Sequence, residues 1–262
     1  MRLATFNLLH GISLSDGGVH TDRLRESAAE LDAEIVGLQE VDRDQERSGG
    51  IDQTAVVAEA LGAEHWRFVP SVHGTPGTSK SWTASTSAIG EPTEGPTYGV
   101  GLVSRLPVRA WWARRFPPAP FRLPLLVPGD GRPQLMVIPD EPRLAVAALV
   151  EGPHGPFTVV TAHLSFVPGF NVSQLRRITR WVARMPGPVF LLGDLNLPGP
   201  IPGLASGWTS LARGATYPSY DPKVQFDHVL AKGLGPEAVH DVRILELAIS
   251  DHRALSVDVT LS

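Results

Sequence analysis

The sequence predicts an α/β protein built from two packed mixed sheets flanked by helices. Two observations carry this. Several short apolar runs show no alternation, and such runs are strands covered on both faces; Glu34–Glu40 reads EIVGLQE and Val189–Asp194 reads VFLLGD. Helical segments separate some of these strands while other strands follow one another directly, an order that a pure βαβ series does not produce. At 262 residues the chain can bury a substantial core. No linker-like stretch divides it, so a single domain over residues 1–262 is expected.

Taken in order, Arg2–Leu9 is the first buried strand and delivers Asn7 near its end. Thr21–Leu31 is helical, with Leu24, Ala28 and Leu31 on one side and Thr21 as its cap. Glu34–Glu40 is a strand ending on a carboxylate. Asp52–Leu61 is a short helix with Asp52 capping and Gly62 stopping it, and His65–Val69 is a strand. Ser71–Thr97, rich in Ser, Thr, Gly and Pro, has no periodicity and reads as a long loop. Tyr98–Ser104 and Val108–Ala113 are strands broken at Pro107, and the Trp111-Trp112 pair sits at strand spacing with one ring expected in the core. Arg114–Arg132 is Pro-rich and mildly basic; it suits either a surface loop or a contact with a phosphate or substrate tail. Arg143–Val150 and Phe157–Leu164 form a hairpin around Gly152–Gly155. Ser173–Met185 is a helix whose stripe is Leu175, Ile178 and Val182. After the strand ending at Asp194 come a loop, 200–221, and the strands Val224–Ala231, Val239–Leu245 and Ala254–Leu261.

Composition narrows the chemistry. There is no cysteine, so disulfides, thiolate nucleophiles and zinc–thiolate sites are excluded. The formal net charge of −4 supplies no global field for gathering a polyanion. The N-terminus MRLATFNLLHG turns polar too early for a signal peptide, and no apolar run reaches membrane-spanning length. A cytoplasmic protein without stable membrane insertion and without an obligate protein partner is the expectation.

The polar residues that end the apolar runs carry the function. Asn7, Glu40, His163, Asp194 with Asn196, Asp227, and Asp251 with His252 each sit at such a terminus. In α/β sheets that edge is where sites are built. Asp194 and Asn196 alone also suit a turn or helix cap, but the full set implies one cluster of carboxylates, amides and imidazoles. Oxygen donors without sulfur suit a hard cation, Mg²⁺ or Mn²⁺, better than zinc. A metal with imidazoles and a separate aspartate meets the needs of phosphoester cleavage.

In order, FNLLHG, LQEVDR, YGVGLVSR, TAHL, GDLN, FDHVL and SDHRAL resemble the signature blocks of the endonuclease/exonuclease/phosphatase superfamily, which includes pancreatic deoxyribonuclease, abasic-site endonucleases, neutral sphingomyelinases and inositol-polyphosphate 5-phosphatases. The blocks run from Asn7 to Leu255. The resemblance implies a four-layer α/β/β/α sandwich and a divalent-metal-dependent hydrolase. Glu40 resembles the principal metal ligand, with Asn7 and Asp251 in support. Asp194 resembles the residue that activates the attacking water, and Asn196 a transition-state contact. His252 resembles the imidazole at the scissile phosphate and Asp227 the acid that orients it. His163 resembles a second phosphate-contacting histidine, and Glu94 and Tyr98 are the nearest candidates for its partner by location. His228 stands where the family often has tyrosine. LLHG and VDR resemble a bacterial branch in which His10 and Arg43 face the cleft and bind substrate; a loop histidine and an ion-paired arginine are the plain alternatives.

The substrate class follows less sharply. A small-molecule or lipid-headgroup phosphoester ranks above DNA or RNA, because only Val108–Arg132 has the basic, aromatic character of a nucleic-acid face. A catalytically inactive phosphate-binding module is the alternative of another class, but Glu40, Asp194 and His252 are all retained.

Overall fold

The computed structural model describes residues 1–76, 82–127 and 134–261. Its elements begin with β1 (Arg2–Asn7), α1 (Thr21–Leu31), β2 (Ile35–Arg43), α2 (Gln53–Leu61), β3 (His65–His73), β4 (Thr83–Ala84), β5 (Thr97–Ser104) and β6 (Val108–Phe116). They continue with β7 (Arg122–Val127), β8 (Gln134–Pro139), β9 (Arg143–Gly152), β10 (Gly155–His163) and α3 (Phe170–Trp181). The chain closes with β11 (Val189–Asp194), α4 (Ile201–Ser206), β12 (Thr209–Ser210), β13 (Asp227–Lys232), β14 (Val239–Leu245) and β15 (Ala254–Val259).

One sheet has seven strands in the order β14-β15-β1-β2-β5-β3-β4, and the other has six in the order β12-β13-β11-β10-β9-β6. Successive residues of a strand face opposite ways, and the doubly apolar runs use both faces. In β2, Ile35 enters the core between the sheets while Val36 and Leu38 pack under α1 and α2. In β11, Phe190 and Leu192 enter the central core while Val189 and Leu191 pack under α3. Leu24, Ala28 and Leu31 of α1 cover the first sheet, and Leu175 and Ile178 of α3 cover the second. The result is the four-layer α/β/β/α sandwich. The sheets approach so closely at Gly37 that a β-carbon there would lie 2.5 Å from Thr161 Oγ1.

Asp52 caps α2 by accepting from the Ala55 amide at 3.1 Å, and Gly62 ends the helix at a φ of 63°. α1 starts at Thr21, but its cap is the extended residue His20, which makes no side-chain capping bond. Other boundaries differ from the sequence reading. β2 runs past Glu40 to Arg43 because a register shift between Leu38 and Val41 bulges Glu40 out of the ladder. β3 continues to His73 and pairs with β4, so the expected 71–97 loop opens as strand; its residues 77–81 lie outside the described ones. The expected loop from Arg114 is instead the end of β6 followed by β7, which pairs antiparallel with β8; Arg132 lies outside the described residues. The 200–221 loop contains α4 and β12. Among the described residues no helix is long and apolar enough to cross a membrane.

Candidate active site

Strand direction gathers the polar termini at one edge. β1 and β2 run parallel, as do β10 and β11, so Asn7, Glu40, His163 and Asp194 emerge at the same end. β13 and β15 run antiparallel to these, so the start of β13, Asp227 opposite Asp194, and the residues just before β15, Asp251 and His252, arrive at that end too.

Asp194 is the centre. It is 2% exposed, and both its oxygens are occupied. Oδ1 accepts from the Asn196 amide at 2.9 Å, and Oδ2 accepts from Asn7 Nδ2 at 3.1 Å. Oδ2 also lies 3.5 Å from His163 Nε2 and 3.9 Å from His252 Nε2. Asn7 Nδ2 bridges to Glu40 Oε1 at 3.0 Å, and its Oδ1 is held by the Leu9 amide at 3.0 Å. His252 Nδ1 lies 2.8 Å from Asp227 Oδ2, the carboxylate–imidazole pairing that fixes ring orientation. The Tyr217 ring packs against His252, with centroids 4.9 Å apart. Ser250 ties the loop down, donating from Oγ to Asn7 O at 2.6 Å and accepting from the His252 amide at 3.0 Å.

Electrostatics divide the two histidines. Burial alone would lower His252, but Asp227, Asp194 and Asp251 outweigh it and hold its pKa at about 10. His163 is pushed well below the ordinary value by burial, and Arg143 and His252 add to the effect. Arg143 Nη1 sits 3.1 Å from His163 Nδ1. One ring is therefore a cation and the other neutral at pH 7. Asp194 is raised to about 7, chiefly by burial, with His252 opposing and Asp227 adding. Asp251 is raised to about 6 by burial, with His252 opposing and Glu40 adding. A buried carboxylate near neutrality beside an imidazolium can exchange a proton with water.

The chain matches the family model described as "Endonuclease/Exonuclease/phosphatase family" over residues 4–252. It belongs to that family. No curated protein matches it significantly. Among solved structures it is similar to an endonuclease/exonuclease/phosphatase from Beutenbergia cavernae, with 21% identity and a TM-score of 0.66 over 100% of this chain and 72% of that one. A mannosyl-6-phosphatase from Bacteroides thetaiotaomicron gives 15% identity and a TM-score of 0.59 over 100% of both chains. Sphingomyelinase C from Streptomyces griseocarneus gives 15% identity and a TM-score of 0.60 over 99% of both. These likenesses are of fold. The family consists mostly of hydrolases of phosphoester bonds and includes phosphatases, phosphodiesterases and nucleases.

Within the family fold, Asn7, Glu40, His163, Asp194, Asn196, Asp227, Asp251 and His252 come together as expected of strand termini. Arg43 does not join them: its Nε pairs with Asp52 Oδ2 at 3.0 Å and its guanidinium lies over the Phe68 ring, on the α2 side of β2. The cation nearer the cleft is Arg47, which grips Asp42 with both ends at 2.7 Å and lies over Tyr98. His10 sits beside Arg47, and burial with that charge lowers its pKa to about 3, so it stays neutral. Among the described residues neither Glu94, which is exposed, nor Tyr98 bonds His163; its ring meets Arg143 Nη1 at 3.1 Å, Asn196 Nδ2 at 3.3 Å and, as its carboxylate neighbour, Asp194 Oδ2 at 3.5 Å. His228 points away from the cluster, with Nε2 2.8 Å from Leu197 O. Sequence reasoning missed Arg143, Ser250 and Tyr217. An arginine opening an apolar strand, EPRLAVAALV, was the available signal for the first.

Proposed function

We propose that the chain is a divalent-metal-dependent phosphoester hydrolase in which Asp194 activates water for in-line attack. The observation that carries this reading is Asp194 itself, buried, held by Asn7 and Asn196, and raised to about 7 beside the His252 cation. Its Oδ2 takes the proton as the water oxygen bonds to phosphorus and the bond to the leaving group breaks. His252, oriented by Asp227, presents Nε2–H to a phosphoryl oxygen, and neutral His163 and Asn196 Nδ2 line the opposite side at 3.3 Å from one another.

Glu40, with Asn7 and Asp251 beside it, would hold the metal. Among the described residues no group of three or more His, Asp or Glu side chains is placed to hold a metal ion by itself; the support for Mg²⁺ or Mn²⁺ is the chemistry of the donors, carboxylate and amide oxygens without sulfur, for ions that keep waters and take phosphate oxygens as ligands. When bound, such an ion neutralises phosphate charge and polarises a phosphoryl oxygen. The net charge of −4 favours a small-molecule or lipid-headgroup phosphoester over a nucleic acid.

The test is hydrolysis of a chromogenic phosphodiester and the matching monoester with Mg²⁺, Mn²⁺ or excess chelator, with Asp194→Asn as control. Turnover abolished by chelator and by the substitution is expected. Chelator-resistant turnover, or full turnover by the variant, overturns the reading.

A further inference from the structure

Beside the catalytic cluster lies a separate cavity of about 280 Å³ lined by Ser71, Ser85, Arg115, Pro142 and Arg143 together with apolar residues. We propose that this cavity is a subsite for a phosphate-like oxyanion, filled by a second anionic group of the substrate or by the free anion. Only the substrate source rests on the hydrolase reading.

Charge is the first argument. The lining holds two guanidinium groups and no carboxylate. Among the described residues Arg115 is tied by backbone carbonyls alone, donating from Nη1 to Pro70 O at 2.8 Å and from Nη2 to Ser87 O. Burial lowers its pKa, and no acid among the described residues acts against that. A half-buried cation without an acidic partner is costly unless an anion arrives.

Arg143 adds an unspent donor. Arg143 is 6% exposed, and its Nε has no hydrogen-bond partner among the described residues. Its Nη1 faces His163, and its Nη2 lies 3.5 Å from Asp140 Oδ1. The other Asp140 oxygen is taken by the Ala119 amide and the Ser165 hydroxyl, each at 2.8 Å. Asp140 and Glu141 offset Arg143, which leaves the Arg115 charge for a ligand. Ser71 and Ser85 supply hydroxyls; they now bond Tyr98 O at 3.1 Å and Ser87 Oγ at 3.4 Å.

Position is the third argument. Ser71, Pro142 and Arg143 also line a narrow crevice with Tyr98 and His163, and His163 Nε2 is 3.5 Å from Asp194 Oδ2. The cavity therefore sits one side chain from the reacting centre. Its volume is several times the roughly 30 Å³ share of a water, enough for a tetrahedral oxyanion.

The probe is inorganic phosphate, titrated by calorimetry into chelator-treated protein, so that no metal recruits it to Glu40. Arg115→Met should weaken binding by about tenfold or more, as loss of a charge-assisted contact does. Arg115→Lys should keep most of the affinity, and Ser85→Asp should abolish binding by placing a carboxylate in the cavity. Glu40→Gln should leave it unchanged. Melting curves identify any variant that fails to fold, and the remaining ones then decide. No phosphate binding, or binding strengthened by Glu40→Gln and indifferent to Arg115→Met and Ser85→Asp, overturns the subsite. Kinetics separate the sources: KM raised by Arg115→Met for a sugar bisphosphate but not for the monophosphate assigns the cavity to substrate, and phosphate binding without that difference assigns it to the free anion. Failure of hydrolysis alone would touch the hydrolase reading and leave the calorimetry intact.

Discussion

Replacing Asp194 with Asn in the metal-free protein removes a charge that the fold has to bury, and its two consequences point in opposite directions. The carboxyl moves from an ordinary pKa of 3.8 to about 7. Between those values the folded state holds a proton that the unfolded chain has released, so stability falls as pH rises through that window. About three units at 1.36 kcal/mol each give about 4 kcal/mol lost by pH 7. The shift to about 7 already includes the attraction of the His252 cation, which opposes burial. One further term reduces what the variant recovers: the amide offers one acceptor to the two donors Asn7 Nδ2 and Asn196 N, costing about 1 kcal/mol. The net is a gain of about 3 kcal/mol, or about 6–12 °C in Tm for a chain of this size. Melting curves at pH 8 and pH 5 test it: the gain should be full at pH 8 and smaller by about 3 kcal/mol at pH 5, where only about one unit of the window above 3.8 has been crossed. Turnover should fall by about two to four orders of magnitude. A variant that melts at or below the wild type at both pH values refutes the claim that the buried charge is unfavourable.

Glu40→Gln should raise the Mg²⁺ concentration for half-maximal turnover with a smaller effect at saturation, because one anionic ligand oxygen is lost; an unchanged metal titration refutes the ligand role. His252 is raised from 6.5 to about 10, so its ion pair with Asp227 contributes fully below pH 6.5 and that contribution is lost as pH rises through 10. Asp227→Asn should flatten this decline in stability, measured by denaturant midpoints across the window, and an unaltered slope refutes it. Gly37→Ala places a β-carbon 2.5 Å from Thr161 Oγ1 and 3.3 Å from Leu192 Cβ. It should cost about 1–3 kcal/mol in chemical denaturation by forcing the sheets apart; an unchanged midpoint refutes the close approach.

The fold and the cluster were legible for one reason: the strand termini are local in sequence, and parallel or antiparallel direction brings them together whatever the loops do. VFLLGD and EIVGLQE announce both a doubly covered strand and the residue at its end. Facing is harder to read. Arg43 follows the bulge that turns Glu40 outward at a φ of 55°, and no periodicity counts a residue that leaves the ladder. Arg143 was hidden for a different reason. It opens β9 one residue beyond the Leu144–His163 register and reaches His163 diagonally across the antiparallel pair, a contact fixed by pairing rather than by spacing. The β7–β8 pair was masked by its prolines, Pro124 and Pro139, which suit a strand without neighbours beyond its partner.

The local geometry of the cluster shows where the sandwich spends stability. Leu9, His10, Glu40, Asn196 and Ser250 all adopt positive φ, a region that costs residues with side chains of order 1 kcal/mol or more each. Asp194 and Asp251 are both raised by burial, which is a further cost. Neither persists without support, and the support is visible: Ser250 clamps Asn7 O and the His252 amide, Asn196 is held by Asp194 Oδ1 and donates to Leu164 O at 3.0 Å, and Gln39 beneath them links Thr5 and Thr161 across the sheets at 3.1 and 3.0 Å. A structure that only needed to fold would relax these positions. Their concentration at the one edge where both sheets deliver polar termini argues that the strain is kept for chemistry, and it explains why the same substitution at Asp194 is expected to strengthen the fold and silence the site.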